Sequence, residues 1–269
     1  MGWQAPARGM GVGAMVLCVY AVFLIALAPA TLLDAALQRG SHGKVRLAEA
    51  QGSLWSGAGQ LEVRDAVKRT GVGIKISWRF QAQYLLHARI GLEINLADAA
   101  KPFPLRVSLT RMEITDADFV LPAAALGVAE RRLAMIGPTG DLLFRVARLS
   151  ITDNQAFGDA IVVWQSAGSS LTPVSPLGDY ELHLESGAGG LSATVRTLKG
   201  PLHLAGKVSR GTAGPPRFGI TARIDPQFEP QLAPFLRLIA IERGAGNFEL
   251  QMDQNFGQSA GTAAGSLSK

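Results

Sequence analysis

The sequence is poor in the residues that carry most metal and redox chemistry. Only one of its 269 residues is a cysteine, Cys18, so the chain can form neither an intramolecular disulfide nor a thiolate metal cluster. Its four histidines, His42, His87, His183 and His203, fall at no H-x-x-x-H or H-E-x-x-H spacing. His183 and His203 occupy polar positions of alternating segments, and we expect them to face solvent. The sequence therefore predicts no metal site and no cofactor.

Motifs of catalysis are also missing. No P-loop, dinucleotide fingerprint or calcium loop occurs in the sequence. Residues 257–261 match the G-x-S-x-G pattern around Ser259, but a nucleophile elbow needs a strand before it and a helix after it. Ser259 instead lies near the C-terminus, with no acid or histidine after it. Asp116 and Asp118 stand two apart, which in a strand places both carboxylates on one face, and we interpret them as an edge or turn feature. We assign no catalytic residue and predict that the chain is not an enzyme.

Charge is sparse and scattered. Charged residues make up 17% of the chain, and 26 basic against 21 acidic residues give a net charge of +5. The only adjacent basic pairs are Lys68-Arg69 and Arg131-Arg132. Nucleic-acid-binding proteins usually concentrate basic residues in one patch or helix. We therefore predict no nucleic-acid partner and no small-molecule substrate, while a mild attraction to anionic lipid headgroups of a membrane stays open.

One long apolar run opens the chain. Gly9–Leu33 contains 25 residues without a charge, and about 20 apolar residues are enough for a helix to cross a bilayer. This predicts a transmembrane helix over residues 10–33, preceded by a short tail, residues 1–9. A cleaved signal peptide is the alternative, with Arg8 as its basic region and Ala28-Pro-Ala30 as its cleavage motif. The run is longer than a signal's apolar core of roughly 7–15 residues, and a proline lies inside that motif, so an uncleaved anchor is favoured.

The charges around this segment do not decide its orientation. Arg8 is the only basic residue before it, whereas Arg39, Lys44 and Arg46 follow closely. The positive-inside rule would then place the body in the cytoplasm. However, domains longer than about 60 residues are translocated largely regardless of charge.

The body, residues 34–252, has the pattern of β-strands. Ile74–Phe80 alternates strictly between apolar and polar residues. The same period of two recurs at residues 60–64, 90–96, 105–110, 182–185, 202–208, 218–225 and 248–252. Alternation is typical of antiparallel sheets with one face against a core, and glycine-rich segments at 187–190 and 211–216 mark turns. The predicted fold is mainly β: a transmembrane helix followed by an antiparallel sheet.

Helix signals in the body are few. Short helices are predicted at Leu121–Met135 and Pro230–Ile239, each with a proline in its first turn. Residues 253–269 are too polar and small to bury themselves, so we expect a disordered tail.

The tryptophans suggest a duplication. Trp78 and Trp164 each precede a hairpin-like return, which favours an internal repeat of two β-units over about residues 44–120 and 138–252. Together with Trp55 they fall at apolar positions, and we expect them to pack in the core.

Several short elements occur in an informative order. They are Pro29-Ala30, Gly52-Ser-Leu-Trp55-Ser-Gly57, Ile76-Ser-Trp78-Arg79, Pro138-Thr-Gly140-Asp-Leu142, Trp164, Pro176-Leu-Gly178-Asp-Tyr180 and Gly200-Pro-Leu-His-Leu-Ala-Gly206. From about residue 15 to residue 252, this order resembles the type II secretion system protein N family of Gram-negative bacteria. Lys207-Val-Ser209 departs from the family pattern, in which another glycine and an aromatic residue are expected.

The resemblance implies a non-enzymatic component of an apparatus that exports folded proteins across the outer membrane. It implies an anchor in the inner membrane, residues 1–9 in the cytoplasm, the β-rich body in the periplasm, and contacts with other secretion subunits and with inner-membrane lipid. The family has no assigned catalytic residues, so none is carried over. An alternative stays open: an alternating sheet also suits a groove for lipid or another hydrophobic ligand, because a closed sandwich and an open trough both give one apolar face.

Overall fold

The computed structural model folds the body as one continuous antiparallel sheet. It describes residues 16–17, 19–20, 23–24, 26–41, 43, 45–64, 71–87, 89–129, 131–152, 155–187, 190–210, 217–244 and 246–250. Within these residues, 14 strands pair in sequence order from β1 to β12, followed by β14 and then β13 at the far edge.

The strands are β1 (Val45–Gly52), β2 (Ser56–Arg64), β3 (Gly71–Gln81), β4 (Ile90–Leu96), β5 (Phe103–Val107), β6 (Arg111–Pro122), β7 (Pro138–Thr152), β8 (Gln155–Ser169), β9 (Gly178–Gly187), β10 (Gly190–Lys199), β11 (Leu202–Arg210), β12 (Arg217–Ile224), β13 (Ala240–Gly244) and β14 (Asn247–Leu250). The helices are α1 (Thr31–Gly40), α2 (Ala124–Ala129), α3 (Arg131–Ile136) and α4 (Glu229–Leu236), with 3-10 turns at Ala82–His87 and Pro226–Phe228.

The strand registers place the apolar side chains of successive strands on one face. Trp78 of β3 stands opposite Ile94 of β4, which stands opposite Phe103 of β5. We call this side the apolar face; its buried residues are Leu47, Ile74, Trp78, Ile94, Phe103, Ala117, Val146, Ala160, Tyr180, Leu202, Ala222 and Phe248. The other side, the polar face, exposes residues such as Lys75, Arg79, Arg145, Arg196 and Arg223. The predicted alternation and the antiparallel pairing are confirmed.

Two helices cover the two ends of the apolar face. Leu33 and Leu37 of α1 pack against the cluster around Trp78, near β1. At the other end, Leu232 and Leu236 of α4 are almost fully enclosed. Burying such leucines stabilises a fold by about 1.5–3 kcal/mol each, so these helices hold the sheet's two ends in shape.

The two edge strands of the sheet, β1 and β13, differ in how far they are covered. Along β1, the N–H of Val45 donates to Ser41 Oγ over 2.9 Å, and the N–H of Leu47 donates to Asp34 Oδ1 over 2.8 Å. The Gly52 carbonyl accepts from the N–H of Ala30 over 3.2 Å. These bonds occupy backbone groups that would otherwise pair with a further strand. At the other edge, residues 241–244 of β13 are exposed.

The predicted membrane segment is only partly described. Residues 16–17, 19–20, 23–24 and 26 have helical conformation, and their larger apolar side chains are exposed. Among the described residues, no helix combines the length and the hydrophobicity needed to cross a membrane. Pro29 interrupts the helical conformation and bridges to Ser53, while Ala28 and Ala30 are buried against the sheet. Residues 28–33 of the predicted span therefore belong to the packed body.

The predicted helices are confirmed in part. The helix predicted at Pro230–Ile239 is α4. The helix predicted over Leu121–Met135 is confirmed at Ala124–Ala129 and Arg131–Ile136, whereas its predicted start is wrong, because β6 extends to Pro122. Residues 253–269, predicted as a disordered tail, lie outside the described residues.

Candidate functional site

The turn between β1 and β2 joins the N-terminal segment to the sheet. In this turn the N–H of Leu54 donates to the Ala28 carbonyl over 2.8 Å. The Leu54 carbonyl in turn accepts from Trp78 Nε1 over 3.1 Å. Trp55 packs edge-on against Phe80, with ring centroids 4.8 Å apart. The Gly52–Gly57 element thus has a physical role: it fixes the apolar segment to the β3 core, and we call this contact set the Trp78 junction.

Gly57 makes the Trp78 junction sterically demanding. A Cβ atom built on Gly57 would lie 2.5 Å from Trp78 Cζ2 and 2.5 Å from the Gln51 carbonyl oxygen. Since one of these neighbours is backbone, the strand has no simple way to make room. Only glycine lets the β2 backbone pass beneath the buried indole.

A second junction forms around Tyr180, at the start of β9. The buried hydroxyl of Tyr180 donates to the Leu202 carbonyl over 2.9 Å. The N–H of Leu202 donates to the Leu177 carbonyl, and the N–H of Leu177 donates to the Ala167 carbonyl. The Pro176–Tyr180 and Gly200–Gly206 elements therefore meet at one point, which we call the Tyr180 junction.

At the Tyr180 junction the buried phenol is held neutral, while the neighbouring Asp179 carboxylate forms an ion pair. Burial, with a smaller contribution from the Asp179 carboxylate, raises the pKa of Tyr180 well above that of an exposed phenol. Asp179 itself accepts from the N–H of Ser166 over 2.8 Å and pairs with Lys199 over 3.2 Å. Ser166 has a φ of +48°, so this carboxylate supports a strained backbone position.

In each junction a tryptophan indole N–H donates to a backbone carbonyl. Trp164 Nε1 donates to the Thr139 carbonyl over 2.9 Å, and its ring lies edge-on to Tyr180, with centroids 6.2 Å apart. Trp78 donates to a carbonyl 24 residues before it, and Trp164 to one 25 residues before it. Trp78 is fully in the core and Trp164 is half-buried. The internal repeat over 44–120 and 138–252 stays a prediction, since both parts belong to one sheet.

The histidines lie beside carboxylates rather than in a cluster. His183 is half-buried on the polar face, 3.4 Å from Asp159 and 3.3 Å from Glu185. His203 Nε2 lies 2.9 Å from Asp225. Among the described residues no group of three or more His, Cys, Asp or Glu side chains is arranged to hold a metal ion. The side chains of His42 and His87 lie outside what the structure describes, as does Cys18.

The two aspartates do not act as a pair. Asp116 has a φ of +53°, which interrupts the strand's alternation, and its carboxylate binds Lys101. Asp118 stands opposite Arg145 in the β6–β7 register. Their interpretation as an edge or turn feature is wrong, because both residues lie within β6, which pairs with β5 and with β7. Ser259 lies outside the described residues.

The centre of the apolar face is less covered than its ends. Several of its apolar residues in strands β8 to β11 are half-buried, including Val162, Leu182, Leu184, Val195 and Val208. At the described residues the closest helix contacts fall on β1, β2, β7 and β12, and α4 also shares its core cluster with Leu202 of β11 and Phe248 of β14. The central strands thus line a stretch of apolar surface between two helical covers.

The sequence did not predict the contact that Asp34 makes between α1 and β1. Asp34 is the first charged residue after the apolar run, and the predicted membrane helix ends just before it, so the pattern gave it no role. Its spacing to Gln38, one helical turn later, was an available signal: the two side chains hydrogen-bond over 2.7 Å.

Comparison with known proteins gives one match. The family model described as "Type II secretion system (T2SS), protein N" matches residues 43–251. The chain matches no curated protein and no solved structure. The matched range runs from the start of β1 to the end of β14, so it takes in every strand of the described sheet, the Tyr180 junction, and the Trp78 junction apart from Ala28.

Proposed function

The chain belongs to the type II secretion system protein N family, and from this we propose that it is a non-enzymatic inner-membrane subunit of the secretion apparatus. Its apolar N-terminal segment anchors it, and its β-rich body stands in the periplasm and contacts other subunits. The exposed apolar side chains of the described N-terminal residues, including Leu17, Phe23 and Leu27, support the anchor. Such side chains are costly in water and favourable in a bilayer.

The exposed edge of β13 is the contact surface that the fold offers best. The β1 edge is occupied by α1 and the N-terminal segment, whereas Ile241 of β13 is 41% exposed at the opposite edge. An unpaired edge accepts an extended segment of a partner through main-chain hydrogen bonds. We propose that a strand of another secretion subunit adds to β13.

Export measurements in cells test this proposal. Deleting the gene should lower secretion, and the full chain should restore it. Ile241→Lys places a charge on the open edge, which disfavours strand addition, and should restore secretion poorly. Leu171→Lys, at an exposed site outside β13, is the matched control and should restore it fully. Full secretion with Ile241→Lys would rule out this edge, and full secretion without the gene would rule out the function.

The half-buried centre of the apolar face favours a second candidate, a groove for a lipid or another hydrophobic ligand. A protein interior normally buries such residues more completely, as the leucines of α4 show. Native mass spectrometry of the purified full chain, followed by lipid extraction, tests it. Bound acyl chains that are lost with Val195→Asp, on the apolar face, but kept with Thr194→Asp, on the polar face, would support the groove. Absence of any bound lipid would exclude it.

A further inference from the structure

One end of the sheet collects features suited to a membrane surface. Because neighbouring strands are antiparallel, the β1–β2, β3–β4 and β5–β6 connections all lie at the same end, which we call the proximal end. The N-terminal apolar segment reaches the body at this end, where Pro29 bridges to Ser53 and Ala28 bonds to Leu54. With about 4.8 Å between strands, the β5–β6 turn lies roughly 20 Å along the sheet from that entry point.

Exposed apolar side chains mark the connections at this end. Leu109 is fully exposed at the tip of the β5–β6 turn, where the Ser108 N–H bonds to the Arg111 carbonyl over 2.8 Å. Turn tips usually carry glycine, asparagine or aspartate. Ile90 is 47% exposed, and its partner in register, Val107, is two residues from Leu109. Leu85, in the β3–β4 connection, is 54% exposed.

Arginines surround the same turns. Arg89, Arg106 and Arg111 line a cleft of about 250 Å³ together with the hydroxyl-bearing residues Ser108 and Thr110. Glu113 is the acid among the described lining residues, and it lies 4.0 Å from Arg148. Guanidinium and hydroxyl groups are the donors that bind phosphate oxygens.

Tyr84 holds one of these arginines in place. The Arg106 guanidinium lies 5.4 Å from the centroid of the Tyr84 ring, and its Nη2 is 3.5 Å from the Tyr84 hydroxyl. The ring in turn covers Gly91, where a Cβ would lie 2.2 Å from Tyr84 Cδ2. This stack fixes the position of the Arg106 guanidinium at the cleft.

The opposite end of the sheet serves as a comparison. It also exposes apolar residues, such as Leu171 in the β8–β9 connection and Leu198 near the end of β10. Beside Leu198, Lys199 pairs with Asp179 over 3.2 Å. Among the described residues, exposed apolar tips, an arginine cleft and the entry of the apolar segment come together at the proximal end.

We propose that the proximal end lies on the bilayer surface, with Leu109 and Ile90 in the interfacial region and with Arg89, Arg106 and Arg111 bound to phosphates of anionic lipid headgroups. This inference rests on the membrane anchoring of the proposed function and adds an orientation to it. The sheet then stands with its strand ends, rather than a face, toward the membrane. A basic side chain gains about fivefold in binding near an anionic surface, so the cleft acts as a second attachment point.

Site-specific fluorescence on the full chain tests the orientation. Cys18 is the only cysteine, so Cys18→Ala followed by Leu109→Cys or Leu198→Cys gives single labelling sites for an environment-sensitive dye. Each protein is reconstituted into vesicles of phosphatidylethanolamine with phosphatidylglycerol, or of phosphatidylcholine alone, with and without brominated lipid. We expect a blue shift and quenching at position 109 in anionic vesicles and neither at position 198. Adding Arg111→Gln should lower the inserted-to-free ratio at position 109 about fivefold, and Arg237→Gln should leave it unchanged.

The outcomes separate this inference from the anchor. If the protein floats with vesicles but the dye at position 109 stays in water, the orientation is wrong and the anchor stands. If it floats only with anionic vesicles and position 109 is quenched, the orientation stands and the anchor is wrong. Equal quenching at positions 109 and 198 would overturn the proposal. So would an Arg111→Gln variant that inserts normally but loses a copurifying subunit, because the cleft would then serve a protein.

Discussion

The Asp34 carboxylate accepts a hydrogen bond of 2.8 Å from the backbone N–H of Leu47, thirteen residues further along the chain. This bond links the first turn of α1 to the edge strand β1. Hydrogen bonds from Gln38 and from the Leu47 backbone, with the Arg46 charge, lower the pKa of Asp34 despite its partial desolvation. A single carboxylate thereby both positions the helix and occupies an edge donor.

Replacing Asp34 should loosen the contact between α1 and β1. Asp34→Ala should cost about 1 kcal/mol of unfolding free energy at pH 7, because an edge N–H loses a charged acceptor at a partly exposed site. The pKa of Asp34 is lowered in the folded state, so its contribution is complete above its ordinary value of 3.8 and is lost as the pH falls below it. Denaturant unfolding at pH 7 and pH 3 measures both. A penalty that stays constant between these pH values would contradict the assignment.

Gly57→Ala tests the close packing at the Trp78 junction. The added methyl overlaps the indole and a backbone oxygen, so we expect a loss of about 1–3 kcal/mol in unfolding free energy. Gly219→Ala is the matched control, because its Cβ meets nothing closer than 3.8 Å. Equal stability of the two variants would show that the junction relaxes freely.

Leucines at the end of α4 offer a paired test of burial. Leu236 is 1% exposed and Leu238, two residues later, is 71% exposed. Leu236→Ala should destabilise the protein by about 2–5 kcal/mol, since it opens a cavity, whereas Leu238→Ala should change the unfolding free energy by less than about 0.5 kcal/mol. Thermal unfolding of both variants measures the difference, and an equal change in the two would contradict the burial of Leu236 in α4.

Tyr180 should resist ionisation while the protein is folded. Burial raises the pKa of Tyr180, so its phenol stays neutral at pH values where an exposed phenol, with a pKa near 10, is half ionised. Its contribution to stability is therefore complete below about pH 10 and is lost as the pH rises further. In absorbance titrations at alkaline pH, the folded protein and folded Tyr180→Phe should show the same number of ionising tyrosines. After unfolding, Tyr180→Phe should show one fewer. A difference at pH 10 in the folded protein would mean that the hydroxyl is accessible.

Hydrogen bonding to Leu202 gives Tyr180→Phe a second readout. Loss of this bond should cost about 0.5–1.5 kcal/mol, measured by denaturant unfolding at pH 7.

The alternation of apolar and polar residues in the sequence predicted strands such as β3 but did not predict β6 or β8. β3 was predictable because Ile74 and Trp78 are buried and Lys75 and Arg79 are exposed. In β6, the positive φ of Asp116 shifts the period, so Ile114 and Ala117 share the apolar face three residues apart. β8 was hidden because Ile161 and Val163 put apolar side chains on the polar face as well.

The two junctions and the arginine cleft are formed by contacts between segments that lie far apart in the sequence. The elements that carry the family resemblance were visible in the sequence. That Gly52–Gly57 fixes Ala28 to Trp78, and that Leu177 meets Leu202, depends on hydrogen bonds between distant segments. The arginine cleft was missed because Arg89, Arg106 and Arg111 are dispersed in sequence and converge only at the strand ends.

The difference between the two edge strands limits how copies of this chain can associate. The backbone N–H groups of Val45 and Leu47 already donate to the side chains of Ser41 and Asp34, so β13 of one copy cannot pair with β1 of another. Head-to-tail strand addition would therefore stop at the first step, and two copies could pair their edge strands only β13 to β13, as a closed twofold pair. The fold is thus protected from runaway polymerisation through its sheet edges.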